Sequence, residues 1–192
     1  RLLERLRQTD LYDRALIVVT ADHGEAFGEH GSWFRHGATL HEESTRVPLL
    51  IKLPAGPLAA APARVTAAVS LVDLLPTLLD YAGVSPPPGL HGSSLRSLLE
   101  GDPQSSRVVF STRTGRTSQW AAHTRQGTLL ASDCPGGDPG LCGWRWFDAA
   151  DADSGDGLPA DSAPAGTAEK LRGFVTRSRA ATLSFAVARR YR

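Results

Sequence analysis

The hydrophobic and polar positions of the chain form short blocks that predict alternating helices and strands. Leucines at positions 2, 3 and 6 stand among charged residues, which indicates the end of an amphipathic helix over residues 1–7. Two apolar, β-branched runs, 15–20 and 46–52, predict two buried strands. The residues between them, 21–45, are polar and rich in Gly and His. A loop of this length in a compact domain is usually functional or disordered, and this composition favours function.

The chain continues with further helical and strand-like patterns. Residues 65–69 have a strand-like pattern that leads into a helix ending at Gly83, with Ser70 or Asp73 as its cap. A short helix is predicted over 93–100. The last part predicts an antiparallel meander, a flexible loop and a terminal helix: strands 107–112, 118–123, 127–131 and 144–147, loop 148–167 and helix 168–190.

This order of elements predicts an α/β body followed by a small α+β appendage. We expect residues 1–104 to belong to an α/β domain, and residues 105–192 to form a small subdomain with a short antiparallel sheet. A chain of 192 residues can bury roughly 70% of its unfolded surface, which is enough for one core with such an appendage.

The composition narrows the classes of partner. Lys and Arg number 21 and Asp and Glu number 20, so the net charge is +1 at pH 7. This balance gives no electrostatic reason to expect nucleic acid or an anionic membrane as a partner. No apolar run approaches the ~18 residues that a membrane-spanning helix needs.

The two cysteines, Cys134 and Cys142, bracket a short segment rich in Gly and Pro. This arrangement is typical of a disulfide-pinned turn, which would imply an oxidising compartment. Two reduced thiols on a flexible loop are the alternative. A zinc site is not expected, because no other Cys or nearby His supplies further ligands.

Candidate chemistry begins where the first predicted strand ends. Asp22 and His23 follow that strand, and Gly24 allows the chain to turn beneath them. Ligands of open α/β sheets bind beyond the carboxyl ends of strands, so a carboxylate and an imidazole at this place are candidate ligands of a divalent metal. The alternative is an ordinary cap with a hydrogen-bonded neighbour.

The density of histidines around this pair favours a site, because four of the six histidines lie between residues 23 and 41. The oxygen of Asp22 suits Ca²⁺, whereas the nitrogen of His23 is accepted readily by Mn²⁺ or Zn²⁺.

Several motifs of the chain resemble those of the sulfatase family, which belongs to the alkaline-phosphatase superfamily. They follow the family's order and spacing over about residues 1–101, and the remainder matches only loosely, around Trp146-Phe147-Asp148. The resembling segments are 17–25 (IVVTADHGE), 28–31 (GEHG), 36–43 (HGATLHEE), 46–51 (RVPLLI), 72–79 (VDLLPTLL) with Ala82-Gly83, and 91–95 (HGSSL).

This resemblance implies an alkaline-phosphatase-like α/β/α sandwich, present in part, that hydrolyses sulfate esters. The family uses a formylglycine nucleophile held against a divalent cation, which here would be Ca²⁺ first, with Mn²⁺ or Zn²⁺ as alternatives. Asp22 and His23 match the family's second pair of metal ligands. His36 matches a position where a cation or donor binds a sulfate oxygen or assists the leaving alcohol.

The resemblance also implies a partner and a location. The partner would be a small-molecule or glycan sulfate ester. A periplasmic or extracellular location would be favoured by the family, together with a Cys134–Cys142 disulfide.

The chain departs from the family in lacking the Cys/Ser-x-Pro-x-Arg nucleophile segment and the first acidic metal ligands. We therefore expect the carboxyl-terminal part of a longer enzyme, inactive by itself, with the missing amino-terminal part as its partner. Such a part would expose an unpaired sheet edge and apolar surface. The alternatives are a phosphodiester or phosphonate hydrolase or a phosphoethanolamine-type transferase of the same superfamily, and a non-catalytic binding remnant.

Other polar side chains are expected to have structural roles. They are His30, which would shape the loop; His41, which would pack; Glu42 and Glu43, which would cap or pair with Arg46; His91, in an ordinary loop; and His123, a partly buried neutral imidazole in a strand.

Overall fold

A computed structural model describes residues 1–56, 64–101, 107–114, 118–132, 142–150 and 155–190, with side chains as far as residue 178. Six α-helices lie in these ranges: α1 (Leu2–Gln8), α2 (Leu11–Arg14), α3 (Glu42–Thr45), α4 (Leu74–Tyr81), α5 (Arg96–Leu99) and α6 (Thr167–Arg190). Within them, no helix is both long enough and apolar enough to cross a bilayer.

The strands of the described ranges form three antiparallel sheets. Two of these sheets have two strands each: β1 (Ile17–Thr20) with β4 (Leu49–Lys52), and β2 (Ala26–Phe27) with β3 (Trp33–Arg35). The third has five strands in sequence order: β5 (Val109–Arg113), β6 (Gln119–His123), β7 (Gly127–Ser132), β8 (Gly143–Asp148) and β9 (Leu158–Pro159). The predicted meander and terminal helix are therefore confirmed.

Period-two alternation in the central strands gives the five-stranded sheet two apolar faces. Toward one face, Trp120 and Ala122 of β6 and Leu129 and Ala131 of β7 pack with Leu171 and Val175 of α6. Toward the other, Ala121 and Leu130 join Phe147 of β8 and Leu40 of the long loop. Because both faces are covered, this sheet holds the main core and also anchors the polar loop that follows β1.

The long loop has more regular structure than the sequence predicts. The β2–β3 hairpin and α3 lie within residues 21–45. Gly28 and Gly31 have φ of 134° and 69°, and this left-handed backbone closes the hairpin where a side chain would be strained. The hairpin is not evident from the sequence, because its strands have only two and three residues and lie in a polar segment.

Two other predictions are wrong. Residues 65–69 form no strand, and β9 with a 3-10 turn at Ala160–Ser162 replaces part of the predicted flexible loop 148–167. At β9 the tertiary context overrides local propensity, because this strand is held by its register with Arg145 and Trp146 of β8. Residues 65–69 have no strand partner among the described residues.

The prediction that β1 and β4 are buried is also wrong. Val19 is 52% exposed and Leu50 is 61% exposed. The physical reason is that these two strands pair only with each other in the part of the chain that the structure describes, so an apolar face of the ribbon lies uncovered.

The structure describes one of the two cysteines. Cys142 is disulfide-bonded. Its predicted partner, Cys134, lies outside the described residues.

Candidate functional site

Strand β1 ends at Thr20 and presents Asp22 and His23 at the start of the polar loop. The following Gly24 donates its N–H to the Ser44 carbonyl at 3.0 Å. A Cβ at position 24 would lie 2.1 Å from the Glu43 carbonyl oxygen, so the turn packs directly on the backbone of α3. Glycine at this position therefore sets where the Asp22–His23 pair lies.

The Asp22 and His23 side chains lie close to each other at the surface. Asp22 Oδ2 and His23 Nε2 are 3.7 Å apart, and both side chains reach solvent. Asp22 Oδ1 also accepts the backbone N–H of His23 at 3.0 Å. His23 Nδ1 lies 2.9 Å from the Gly24 carbonyl. A carbonyl only accepts, so Nδ1 carries the proton, and in the neutral ring the Nε2 lone pair is left on the side of the carboxylate.

His36 completes the group from the other end of the β2–β3 hairpin. Its ring stacks on that of His23 with the centroids 4.3 Å apart and the planes 20° apart. His36 Nδ1 lies 3.4 Å from Glu25 Oε1, so Glu25 orients this imidazole through one ring nitrogen and leaves Nε2 for a ligand. The three predicted site residues, Asp22, His23 and His36, are therefore brought together.

The Asp22–His23 pair fits two positions of a divalent cation's ligand set. Ligand atoms bound cis at ~2.0–2.5 Å from one ion are about 3–4 Å apart, and the observed separation is 3.7 Å. The bond from His23 Nδ1 to a carbonyl is the usual outer contact of a metal-binding imidazole. No group of three or more His, Cys, Asp or Glu in the described ranges is arranged to hold a metal, so the pair amounts to a partial ligand set.

Behind this exposed group lies a second, more buried pair of imidazoles. His30 and His41 stack with their centroids 3.7 Å apart, and the Phe147 ring meets both edge-on. His30 Nδ1 lies 3.3 Å from Glu43 Oε1. Burial, followed by the nearby His30, lowers the pKa of His41 to about 4. His41 is thus a packing residue, as predicted, and His30, predicted to shape the loop, packs with it and contacts Glu43.

Most of the other expected structural roles are also found, but Glu43 pairs with His30 and not with Arg46. Arg46 donates to Glu42 Oε2 at 3.1 Å across one turn of α3. His91 lies in an exposed loop. His123 is partly buried in β6, where its ring nitrogens contact the hydroxyls of Thr128 (2.9 Å) and Ser111 (3.0 Å). Burial lowers the pKa of His123 to about 4, so its ring is neutral near pH 7.

One contact of the site is absent from the sequence-based predictions. Arg113 of β5 donates from Nε to the carbonyl of Gly37, at 2.6 Å. This bond ties the backbone beside His36 to the five-stranded sheet across 76 positions of sequence, a separation at which no local pattern carries information.

Comparison with known proteins finds related sequences and related folds. Residues 1–84 match the family model described as Sulfatase. The chain is 42% identical over 94 residues to arylsulfatase K of Mus musculus, an alignment that covers 49% of this chain and 16% of that protein. It is 40% identical over 103 residues to N-acetylglucosamine-6-O-sulfatase of Bacteroides thetaiotaomicron, covering 53% of this chain and 18% of that protein.

Solved structures extend the likeness over nearly the whole chain. One protein, solved in complex with its substrate D-glucosamine-2-N,6-O-disulfate, superposes with a TM-score of 0.68 at 26% identity over 93% of this chain and 37% of its own. A 2-O glycosaminoglycan sulfatase superposes with a TM-score of 0.64 over 98% of this chain and 39% of its own, at 23% identity.

These superpositions define an alkaline-phosphatase-like α/β fold, as the sequence predicts. Residues 1–84 carry the sequence pattern of the sulfatase family. It spans about one sixth of the length of the curated relatives that it matches. The boundary after residue 104 and the roles of Asp22, His23 and His36 stay predictions.

Proposed function

We propose that this chain contributes part of the active site of a metal-dependent sulfatase that hydrolyses sulfate esters, within a longer protein. The observation that carries the proposal is the convergence of Asp22, His23 and His36. The pair's ligand atoms are 3.7 Å apart and the two imidazoles stack at 4.3 Å. The relatives reported above are sulfatases, which favours a sulfate ester over a phosphodiester as substrate.

Each residue has a distinct role in this proposal. Asp22 Oδ2 and His23 Nε2 hold a divalent cation, for which Ca²⁺ is the first candidate and Mn²⁺ or Zn²⁺ the alternatives. A bound cation would neutralise sulfate oxygens and lower the barrier to attack on sulfur. His36, oriented by Glu25, would donate a hydrogen bond from Nε2 to a sulfate oxygen, or give its proton to the leaving alcohol oxygen as the S–O ester bond breaks.

The relatives support sulfated amino sugars as the proposed substrate class. One structural neighbour binds a doubly sulfated glucosamine, and one sequence relative is a sulfatase of N-acetylglucosamine 6-sulfate groups. A sulfated amino sugar is therefore the first substrate to test. The partial ligand set supports a site completed by ligands from elsewhere in a longer protein.

Metal binding tests the ligand pair on the 192-residue chain itself. Paramagnetic Mn²⁺ broadens NMR resonances near it even when it binds weakly. We expect substoichiometric Mn²⁺ to broaden the ring signals of His23 and His36 selectively, and Ca²⁺ to reverse the broadening. The Asp22→Ala variant should lose the effect, because one of the two ligands is gone. The exposed Asp13→Ala variant serves as the matched control.

Sulfate release tests the reaction on the longer protein. His36→Ala should lower kcat by about 10²–10⁴-fold on a sulfated glucosamine, the usual range for one acid–base group. The reading as a sulfatase fails if a phosphodiester is cleaved faster than the sulfate ester, or if Asp22→Ala and His36→Ala leave sulfate release unchanged.

A further inference from the structure

The β2–β3 hairpin carries a cluster of exposed aromatic rings that the proposed reaction does not use. Phe27 is 58% exposed, Trp33 is 65% exposed and Phe34 is 72% exposed. We call these three residues the aromatic hairpin. Large apolar side chains grouped on a surface mark a binding site more often than scattered ones do.

The rings of the aromatic hairpin are in mutual contact. The Phe27 and Phe34 rings meet edge to face with their centroids 5.9 Å apart. The Trp33 and Phe34 centroids are 6.3 Å apart, with the planes tilted by 47°. The Trp33 indole also lies over Gly28, where a Cβ would come within 2.9 Å of the ring. The three side chains therefore form one apolar patch with a fixed base.

The backbone that presents this patch is held in an uncommon conformation. Phe34 has φ of 49°, which is costly for an aromatic residue. The Glu29 carboxylate accepts the N–H of Phe27 at 2.6 Å. Bonds from the backbone N–H groups of Glu29 itself and of Phe27 lower the pKa of Glu29, so the anion that holds the turn persists.

The patch adjoins the candidate active site along the chain. The hairpin starts at Ala26, three residues after His23, and β3 ends at Arg35, directly before His36. Arg35, between Phe34 and His36 in the sequence, is an exposed cation. A ligand that reaches both regions must thus combine an apolar face with a negative group.

We propose that the aromatic hairpin is a sugar-binding subsite, in which Trp33 and Phe34 pack against the apolar face of the sugar ring whose sulfate group lies at His36. This inference rests on the proposed function and adds a determinant of its substrate specificity. A sulfated sugar has the required chemistry, since its ring carries C–H groups on one face while its sulfate matches Arg35 and the imidazoles. Inorganic sulfate has only the second feature.

The difference between those two ligands gives the test. The 192-residue chain is titrated with D-glucosamine-2-N,6-O-disulfate and, separately, with inorganic sulfate, with Ca²⁺ present. The signals followed are the Trp33 indole N–H, assigned by its loss in Trp33→Phe, and the His36 ring. We expect the sugar to shift both signals, and inorganic sulfate to shift His36 alone.

Substitutions then separate the two parts of the site. Trp33→Ala should weaken sugar binding about tenfold, the upper range for one aromatic contact, and leave the affinity for inorganic sulfate unchanged. Gly28→Ala should act in the same direction, because it displaces the indole without removing it. Leu158→Ala, at an exposed apolar residue of the five-stranded sheet, is the matched control and should change neither affinity.

The outcomes are distinguishable. If both ligands shift His36 but Trp33→Ala weakens them equally or not at all, the subsite is overturned and the proposed function stands. If neither ligand shifts the Trp33 indole or the His36 ring, the subsite is overturned, whereas the proposed function is overturned only by the sulfate-release experiment on the longer protein. If the aromatic substitutions change only the self-association of the chain, the hairpin is a protein contact and the subsite is likewise overturned.

Discussion

At the scale of single residues, burial divides the histidines of this chain into two kinds. His23 and His36 reach solvent and stack on each other, where they are available to a ligand. His41 and His123 are enclosed, and burial lowers the pKa of each to about 4. The same residue type is thus a candidate reactive group in one place and a neutral packing group in another, and the difference lies in its surroundings.

The lowered pKa of His123 predicts how the stability of the fold depends on pH. The ordinary pKa of 6.5 applies to the unfolded chain, and the folded value is about 4. As pH falls below 6.5, the unfolded state therefore binds the proton first, and the contribution to stability is lost progressively toward pH 4. Between pH 7 and 4.5 this histidine should account for about 2 kcal/mol of lost stability.

The measurement is urea unfolding at a series of pH values. The free energy of unfolding of His123→Gln should fall less steeply over this range than that of the unsubstituted chain, whatever its stability at pH 7. His91→Gln, at an exposed loop position, is the control and should follow the unsubstituted chain. Parallel curves for all three proteins would contradict a neutral, buried His123.

At the scale of elements, one carboxylate joins three parts of the chain. Asp73 is almost completely buried at the start of α4. Its oxygens accept the backbone N–H groups of Ser70 (2.8 Å) and Ser93 (2.9 Å), and Arg107 lies 2.6 Å from Oδ1. The predicted cap is confirmed, but Ser93 and Arg107 are contacts that local sequence does not reveal.

Removing the charge of Asp73 should therefore lower the free energy of unfolding by more than the loss of a helix cap does. Asp73→Asn leaves the partly buried Arg107 without its counter-ion. Breaking a buried ion pair typically costs about 3–5 kcal/mol, whereas losing a cap costs about 1 kcal/mol. Chemical denaturation at pH 7 measures the difference, with the exposed Asp13→Asn as control. A loss near 1 kcal/mol would mean that Arg107 contributes little.

At the scale of the whole molecule, the five-stranded sheet connects the core to the candidate site. Leu171 of α6 packs on one face. On the opposite face, Phe147 contacts Leu40 and the stacked His30–His41 pair of the loop that carries His36. Arg113 fastens the same loop from the edge of the sheet.

Two core substitutions of similar cost should therefore differ in their effect on the site. Leu171→Ala and Phe147→Ala should each reduce stability by about 2–5 kcal/mol, because each leaves a cavity. Only Phe147→Ala should also speed amide hydrogen exchange in residues 30–41 and weaken Mn²⁺ broadening at His36. Equal exchange in the two variants would show that the loop is held independently of the sheet face.

Much of this architecture follows from sequence alone because its determinants are local. Period-two alternation predicts the meander, apolar spacing and a terminating Gly83 predict α4, and the Asp22–His23–Gly24 turn follows a β-branched run. The motifs around them indicate the sulfatase family before any coordinates are considered. Short-range rules suffice wherever a strand, a cap or a turn is decided by residues a few positions apart.

Tertiary structure decided which distant side chains became neighbours. His36 stacks on His23 because an intervening hairpin folds back, and Arg113 reaches Gly37 and Arg107 reaches Asp73 only after the sheet has packed. The half-exposed β1–β4 ribbon and the strand β9 are likewise outcomes of which surfaces find partners. Such contacts depend on the relative positions of packed elements, and local patterns of hydrophobic and polar residues contain no record of those positions.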